Sequence, residues 1–174
     1  MTKVLSVLLL AVASCCASTI VLVDTPNGIN GPYTLAVDGQ NTWAWCVNFS
    51  LPLLPDWEGT VKPLSDFSPS DQILFREAWW ITQNDSDPVT AQEGAWDVFG
   101  GALAASRYPG GLPWVALAQT NYVSVGLDAF SVIVPSDGWK TQDMMIPPDG
   151  HAPEPGTLIA GVALIGMGVW RKKK

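Results

Sequence analysis

Two apolar runs, one near each end of the chain, limit which residues can form a folded body. The first, residues 4–12, follows Lys3 and precedes the small residues 13–17. A positive residue, a short apolar run and a small-residue cleavage zone are typical of a secretory signal peptide. Residues 1–17 are therefore predicted to be removed on export through the inner membrane. The alternative is a lipoprotein signal, in which Cys15 would become a lipidated N-terminus.

The second apolar run, residues 157–170, follows a proline-rich linker over residues 147–156. At about 1.5 Å per residue, a helix of this length spans about 21 Å, which is short of the roughly 30 Å hydrocarbon core of a bilayer. Four cations follow it, and they are expected to stay on the cytoplasmic side. This basic tail, residues 171–174, consists of Arg171, Lys172, Lys173 and Lys174.

Three features in a fixed order mark this end of the chain: the motif Pro153-Glu154-Pro155, the short apolar helix and the basic tail. Together they closely resemble the PEP-CTERM sorting signal. The resemblance implies recognition by an exosortase, with the precursor anchored transiently in the inner membrane. It also implies a final location at the cell surface or in the exopolysaccharide matrix of a Gram-negative bacterium. An ordinary tail anchor would give the same topology without processing.

The part of the chain between these signals is strongly acidic. Residues 18–152 keep four of the nine cations and fifteen of the sixteen carboxylates, which gives a net charge of −11. Nucleic acid and anionic lipid are therefore excluded as partners. The length of residues 18–146 suits a single core, so this range is predicted to be one extracytoplasmic domain.

Hydrophobic periodicity indicates strands first, then helices, then a strand. One helix is predicted to begin at Ser68-Pro69 or at Ser70 and to end between Asn84 and Pro88. A second is predicted over residues 91–105, capped by Thr90 and ended or kinked at the glycine pair 100–101. The sequence therefore favours an α+β fold, a single compact domain of strands flanking two central helices. The predicted strands are 19–23, 33–38, 42–49 and 130–134.

Cys46 is the lone cysteine of the body once the signal peptide has left, which raises the question of its role outside the cytoplasm. A Cys–His enzyme needs a histidine, and the single histidine of the chain, His151, lies in the linker. The same fact excludes serine triads and histidine metal sites. We therefore predict no cofactor, no metal centre and no enzyme that turns over.

A bond to another side chain remains, because a thiol can displace ammonia from a glutamine carboxamide and leave a thioester. Gln92 is the candidate partner. On a helix, Gln92, Ala95 and Trp96 share one face at i, i+3 and i+4, which would carry the glutamine into the core. Keeping water away from such a bond is a requirement for its survival.

Here the sequence resembles the thioester domains of bacterial surface adhesins. Trp45-Cys46-Val47 looks like the first element of that family, and Ala91-Gln92-Glu-Gly-Ala95-Trp96 looks like the second. Gly31-Pro-Tyr-Thr-Leu35 is also similar to the opening of short PEP-CTERM proteins with comparable spacing. The likeness covers roughly residues 30–135. It departs from the family at Ala91, which is small for its position.

The resemblance implies that Cys46 and Gln92 form an internal thioester, with Trp45, Ala95 and Trp96 shaping its pocket. It implies a covalent adhesin that reacts once with an amine-bearing surface ligand.

The alternative is a non-catalytic matrix protein that binds exopolysaccharide or cations, in which Cys46 is an ordinary core residue. Asp85 and Asp87 are weak calcium candidates, because Asn84-Asp-Ser-Asp87 resembles the start of a calcium loop without its downstream ligands. A turn that ends the first helix explains the same residues. No spacing singles out a pair of carboxylates for glycoside hydrolysis.

Overall fold

The computed structural model describes residues 17–25, 31–136 and 141–148. Within them, four strands are followed by three helices and then by two more strands. The helices are α1 (Pro69–Asn84), α2 (Pro88–Arg107) and α3 (Leu112–Asn121). The strands are β1 (Ser18–Asp24), β2 (Tyr33–Val37), β3 (Gln40–Cys46), β4 (Asp56–Pro63), β5 (Ser131–Pro135) and β6 (Met144–Ile146).

The six strands form a closed antiparallel barrel in the order β1-β2-β3-β6-β5-β4, with β4 returning to pair with β1. Ile20 lies opposite Trp57 where β1 meets β4. Ile133 lies opposite Met144 where β5 meets β6. Because the barrel is closed, each strand has a partner on both sides.

The α+β class predicted from the sequence, with strands flanking two central helices, is therefore wrong. The two strands that complete the barrel were not predicted. In the first, β4, Trp57 and Val61 alternate with charged or polar residues, but Gly59 and the closing Pro63 weaken the strand pattern. The second, β6, has only three residues. No element was predicted for the segment of α3, whose apolar residues are not confined to one face of a helix.

The helix boundaries follow their capping residues. Ser68 precedes α1, and its side chain accepts a hydrogen bond from the backbone N–H of Asp71 at 3.2 Å. The cap of α2 is Asp87, whose carboxylate accepts from the N–H of Val89 at 2.9 Å. The predicted cap Thr90 is thus wrong and lies inside α2. Gly101, with φ 55° and ψ −138°, kinks α2 within the predicted glycine pair.

The buried apolar residues form two layers that use alternate residues of the same strands. Trp45 and Met145 belong to the layer that also contains helix residues such as Trp79. Cys46 and Met144 belong to the second layer, on the opposite face of the sheet. The first layer holds most of the buried helix residues, and helices cannot fit inside a six-stranded barrel, so this layer lies outside the sheet. The second layer draws residues from all six strands and lies inside, and Trp96 and Ala104 of α2 also belong to it.

Several predicted features lie outside the described residues. These are Cys15 with nearly all of the signal peptide, and the C-terminal sorting region with its motif, apolar run and basic tail (residues 153–155, 157–170 and 171–174). Among the residues that are described, no helix combines the length and the apolar character needed to cross a membrane.

Candidate functional site

Cys46 is the last residue of β3, and its side chain lies inside the barrel. It is fully buried, with 0% of its surface exposed, and its backbone pairs with Met144 of β6. It is a free thiol. The strand alternation places Cys46 in the inner layer and Trp45 in the outer one.

Gln92 reaches the backbone of Cys46 from α2. Its Nε2 donates to the carbonyl oxygen of Cys46 at 2.5 Å, and its Oε1 accepts from the N–H of Cys46 at 3.3 Å. Gln92 is also 0% exposed. The carboxamide is therefore held against the backbone of the residue that carries the thiol, although 46 positions separate them in sequence.

Two polar groups contact the sulfur itself. The indole Nε1 of Trp96 donates to Sγ at 3.2 Å, and the thiol donates to the hydroxyl oxygen of Tyr33 at 3.6 Å. Trp96 lies one helical turn after Gln92, so both side chains leave α2 on the side that faces Cys46. Tyr33 pairs with Ala44 across β2 and β3, which makes it a diagonal neighbour of Cys46 on the same face.

Burial controls the ionisation of this site. Desolvation raises the pKa of the Cys46 thiol to about 12, and the hydrogen bonds with Tyr33 and Trp96 only partly oppose that increase. Burial is also the main reason that the pKa of Tyr33 is raised, followed by its proximity to Cys46. At neutral pH the sulfur is therefore a protonated thiol, and external thiol reagents should react with it slowly.

Gly31 makes room for the carboxamide. A Cβ atom at this position would lie 2.6 Å from Gln92 Oε1 and 2.9 Å from Cε3 of Trp45. Both distances are closer than ordinary van der Waals contact, so only glycine fits here without a shift of its neighbours. The same distances place the Trp45 ring near the end of the Gln92 side chain.

The fold therefore brings only some of the residues singled out from the sequence into contact with one another. Cys46, Gln92 and Trp96 make direct contacts. Trp45 and Ala95 are buried in the outer layer, on the other side of the sheet from the sulfur. Of the two, Trp45 has its ring near the end of the Gln92 side chain.

Asp85 and Asp87 are occupied by the turn between α1 and α2. Asp85 accepts from the hydroxyl of Thr90 and, at 2.9 Å, from the N–H of Asp87. Asp87 caps α2. Across the described ranges, no group of three or more His, Cys, Asp or Glu side chains is arranged to hold a metal ion. The geometry at these two aspartates is that of a turn.

Sequence reasoning missed Tyr33 and Gly31 as parts of the site. Both lie in the segment Gly31-Pro-Tyr-Thr-Leu35, whose only recognised feature is its similarity to the opening of short PEP-CTERM proteins. An available signal was the pairing of two neighbouring strands, which brings Tyr33 close to Cys46 once the register is known.

Comparisons of the chain with family models, with curated proteins and with solved structures find no match.

Proposed function

We propose that this chain is an exported bacterial surface or matrix protein that attaches covalently to an amine through a thioester between Cys46 and Gln92. One observation carries the proposal: the carboxamide of Gln92 lies fully buried against Cys46, joined to it by two hydrogen bonds. A glutamine in this place has the functional group that the bond requires and is held against the backbone of the residue that carries the sulfur.

Formation of the bond is a condensation. The sulfur of Cys46 attacks the carboxamide carbon of Gln92, the C–N bond breaks, and the thiol proton leaves with the nitrogen as ammonia. The Cys46 N–H points at Oε1, where negative charge develops during the attack. Tyr33 accepts the hydrogen bond of the thiol, which orients the S–H bond before the attack.

Opening of the bond is the attachment step. A primary amine attacks the same carbon, a C–N bond forms and the C–S bond breaks. The proton from the amine nitrogen ends on the sulfur of Cys46. The indole N–H of Trp96 donates to that sulfur and stabilises it as it takes up negative charge. The reaction occurs once per molecule, because the product amide is stable.

Burial supports storage of such a bond. Neither Cys46 nor Gln92 exposes any surface, and the apolar side chains of both core layers surround them. Water would therefore have little access to the acyl carbon. This agrees with a protein that must survive export before it meets its target.

The delivery of the protein is proposed from its ends. The Pro153-Glu154-Pro155 motif, the apolar run and the basic tail support recognition by an exosortase and a transient anchor in the inner membrane. The net acidity of the body favours a cationic target, such as an amine-rich surface ligand, over an anionic one.

The rival is a non-catalytic matrix protein that binds polysaccharide or cations, and one observation favours it. The two hydrogen bonds from Gln92 also satisfy the backbone N–H and C=O of Cys46, which a purely structural glutamine would do equally well.

Mass spectrometry separates the two functions. The protein, exported by a bacterial host and purified without amines, should lack the mass of one ammonia relative to its sequence. Methylamine should then add its own mass, and Cys46→Ala and Gln92→Ala should neither lack ammonia nor gain methylamine. A folded wild type that has its full sequence mass and ignores methylamine would refute the thioester and leave the matrix function.

A further inference from the structure

A partly open cavity of about 390 Å³ lies next to the residues that contact the sulfur of Cys46, although Cys46 and Gln92 do not line it themselves. Its wall includes Tyr33 and Trp96, the two residues whose polar atoms contact that sulfur. Most of the remaining wall is apolar or aromatic, which suits an aliphatic group better than a sugar or an anion. These wall residues are Leu22, Phe49, Leu51, Pro52, Leu53 and Tyr108.

Gln142 places one unused acceptor in this cavity. Its side chain is 6% exposed, and its Nε2 donates to the carbonyl oxygen of Leu51 at 2.7 Å. That bond fixes the orientation of the amide, because only the nitrogen can donate. The other atom, Oε1, is buried and has no hydrogen-bond partner among the described residues. A buried acceptor without a donor is unusual and marks a place where a ligand N–H would bind.

We infer that this cavity receives the attacking group, a primary amine on an unbranched aliphatic stem, and that Gln142 Oε1 accepts a hydrogen bond from its nitrogen. The inference rests on the proposed thioester of Cys46 and Gln92. The apolar wall covers the stem, and Tyr33 and Trp96 border the inner end, next to the bond that is opened.

The bound amine reacts in its neutral form. One N–H points to Gln142 Oε1 while the lone pair attacks the carbonyl carbon of Gln92. The nitrogen becomes positively charged in the tetrahedral intermediate, so its hydrogen bond to Oε1 strengthens at that point. The C–S bond then breaks, and the nitrogen proton passes to the sulfur of Cys46.

A second cavity, of about 580 Å³, is a poorer route to the bond. It shares Phe49 with the first cavity, but neither Tyr33 nor Trp96 lines it. Its wall contains Lys62 but also Asp71 and Asp143, so charge does not exclude an amine from it, and its poorer placement rests on the absence of Tyr33 and Trp96 from its wall.

The test measures how fast amines open the thioester in exported, purified wild type and in three variants whose thioester content is first determined by mass. Gln142→Met removes both the donor and the acceptor of this side chain at similar size. Gln142→Glu keeps an acceptor oxygen, but it replaces the N–H donated to Leu51 with a second oxygen and adds a negative charge. Gln119→Met is the matched control, because Gln119 lines a different cavity. Thiol release and mass gain both report opening, with methylamine and n-butylamine as the probes.

We expect Gln142→Met to open about 10- to 100-fold more slowly with both amines, as loss of a hydrogen bond to a charged group implies. Gln142→Glu should stay close to the wild-type rate, and Gln119→Met should match it. In the wild type, n-butylamine should react faster than methylamine, by about fourfold for each methylene that the apolar wall covers.

The outcomes distinguish this inference from the proposed function. A wild type without the ammonia deficit refutes the thioester, and the inference falls with it. If the thioester is present but Gln142→Met opens as fast as wild type, or Gln142→Glu is slowed equally, Gln142 only supports Leu51. The inference is then overturned while the thioester stands. A Gln142 variant that forms no thioester also counts against it, since Gln142 would then be needed to build the bond.

Discussion

Asp97 of α2 should make the protein less stable as the pH rises. Its carboxylate is 4% exposed, and both of its oxygens are buried without a hydrogen-bond partner among the described residues. Burial, and secondly the negative charge of Glu93, raise the pKa of Asp97 from its usual 3.8 to about 6. Asp97 and, from α1, Glu77 line one cavity, and burial raises the pKa of Glu77 as well. From α3, the neutral Gln119 faces this cavity.

The sign and size of the effect follow from linkage. Because the folded-state pKa is raised, the stability contribution is fully present below about pH 4 and is lost as the pH rises through about 6. A difference of about two pKa units corresponds to roughly 3 kcal/mol. Asp97→Asn replaces the carboxyl with a neutral group of similar shape. The free energy of unfolding of Asp97→Asn, measured relative to that of wild type, should therefore increase by roughly 3 kcal/mol from pH 4 to pH 8.

Urea unfolding of wild type and Asp97→Asn at several pH values between 4 and 8 measures this difference. Any constant cost of the amide cancels, because only the change with pH is compared. Glu93→Gln is the control, and it should recover a smaller part of the change, since Glu93 is the second cause of the raised pKa. A difference between Asp97→Asn and wild type that stays constant across this range would refute the reasoning.

Three further substitutions test the packing around the site. Gly31→Ala should destabilise the protein by about 1–3 kcal/mol and reduce the fraction with a thioester, because the new methyl group displaces Gln92 Oε1. Urea unfolding measures the first effect and intact mass the second. Unchanged values of both would contradict the contact. Trp96→Phe removes the N–H donated to sulfur while keeping a ring. Opening of the thioester by an amine should therefore slow by about 10-fold, which corresponds to roughly 1.4 kcal/mol. An unchanged rate would mean that the indole ring contributes only packing. Gly111→Ala should lower the free energy of unfolding by about 3 kcal/mol or more, because its Cβ would meet the backbone of Gly94 and force two helical segments apart. Thermal or urea unfolding measures this loss. A loss below about 1 kcal/mol would contradict that close approach.

Local features of the sequence were enough to predict much of the helical region and part of the site. The start of α1 after Ser68 follows from a capping residue and a proline at the first helical position. The spacing of Gln92 and Trp96 places them one turn apart on any helix, and the alternation around Cys46 decides which face of a strand it occupies. These properties depend on neighbours within a few positions, so the sequence by itself determined them.

Only the tertiary structure decided how the barrel closes and what surrounds the sulfur. The strand β4 joins β1 to β5 although Gly59 interrupts its short alternation, because its place is defined by pairing with both neighbours. Tyr33 reaches Cys46 through strand register, and Gln142 reaches the cavity from a segment about 90 positions from Leu51, its hydrogen-bond partner. Contacts between distant segments leave no periodic signal in either one, which is why the sequence pointed to Cys46 and Gln92 but not to the groups around them.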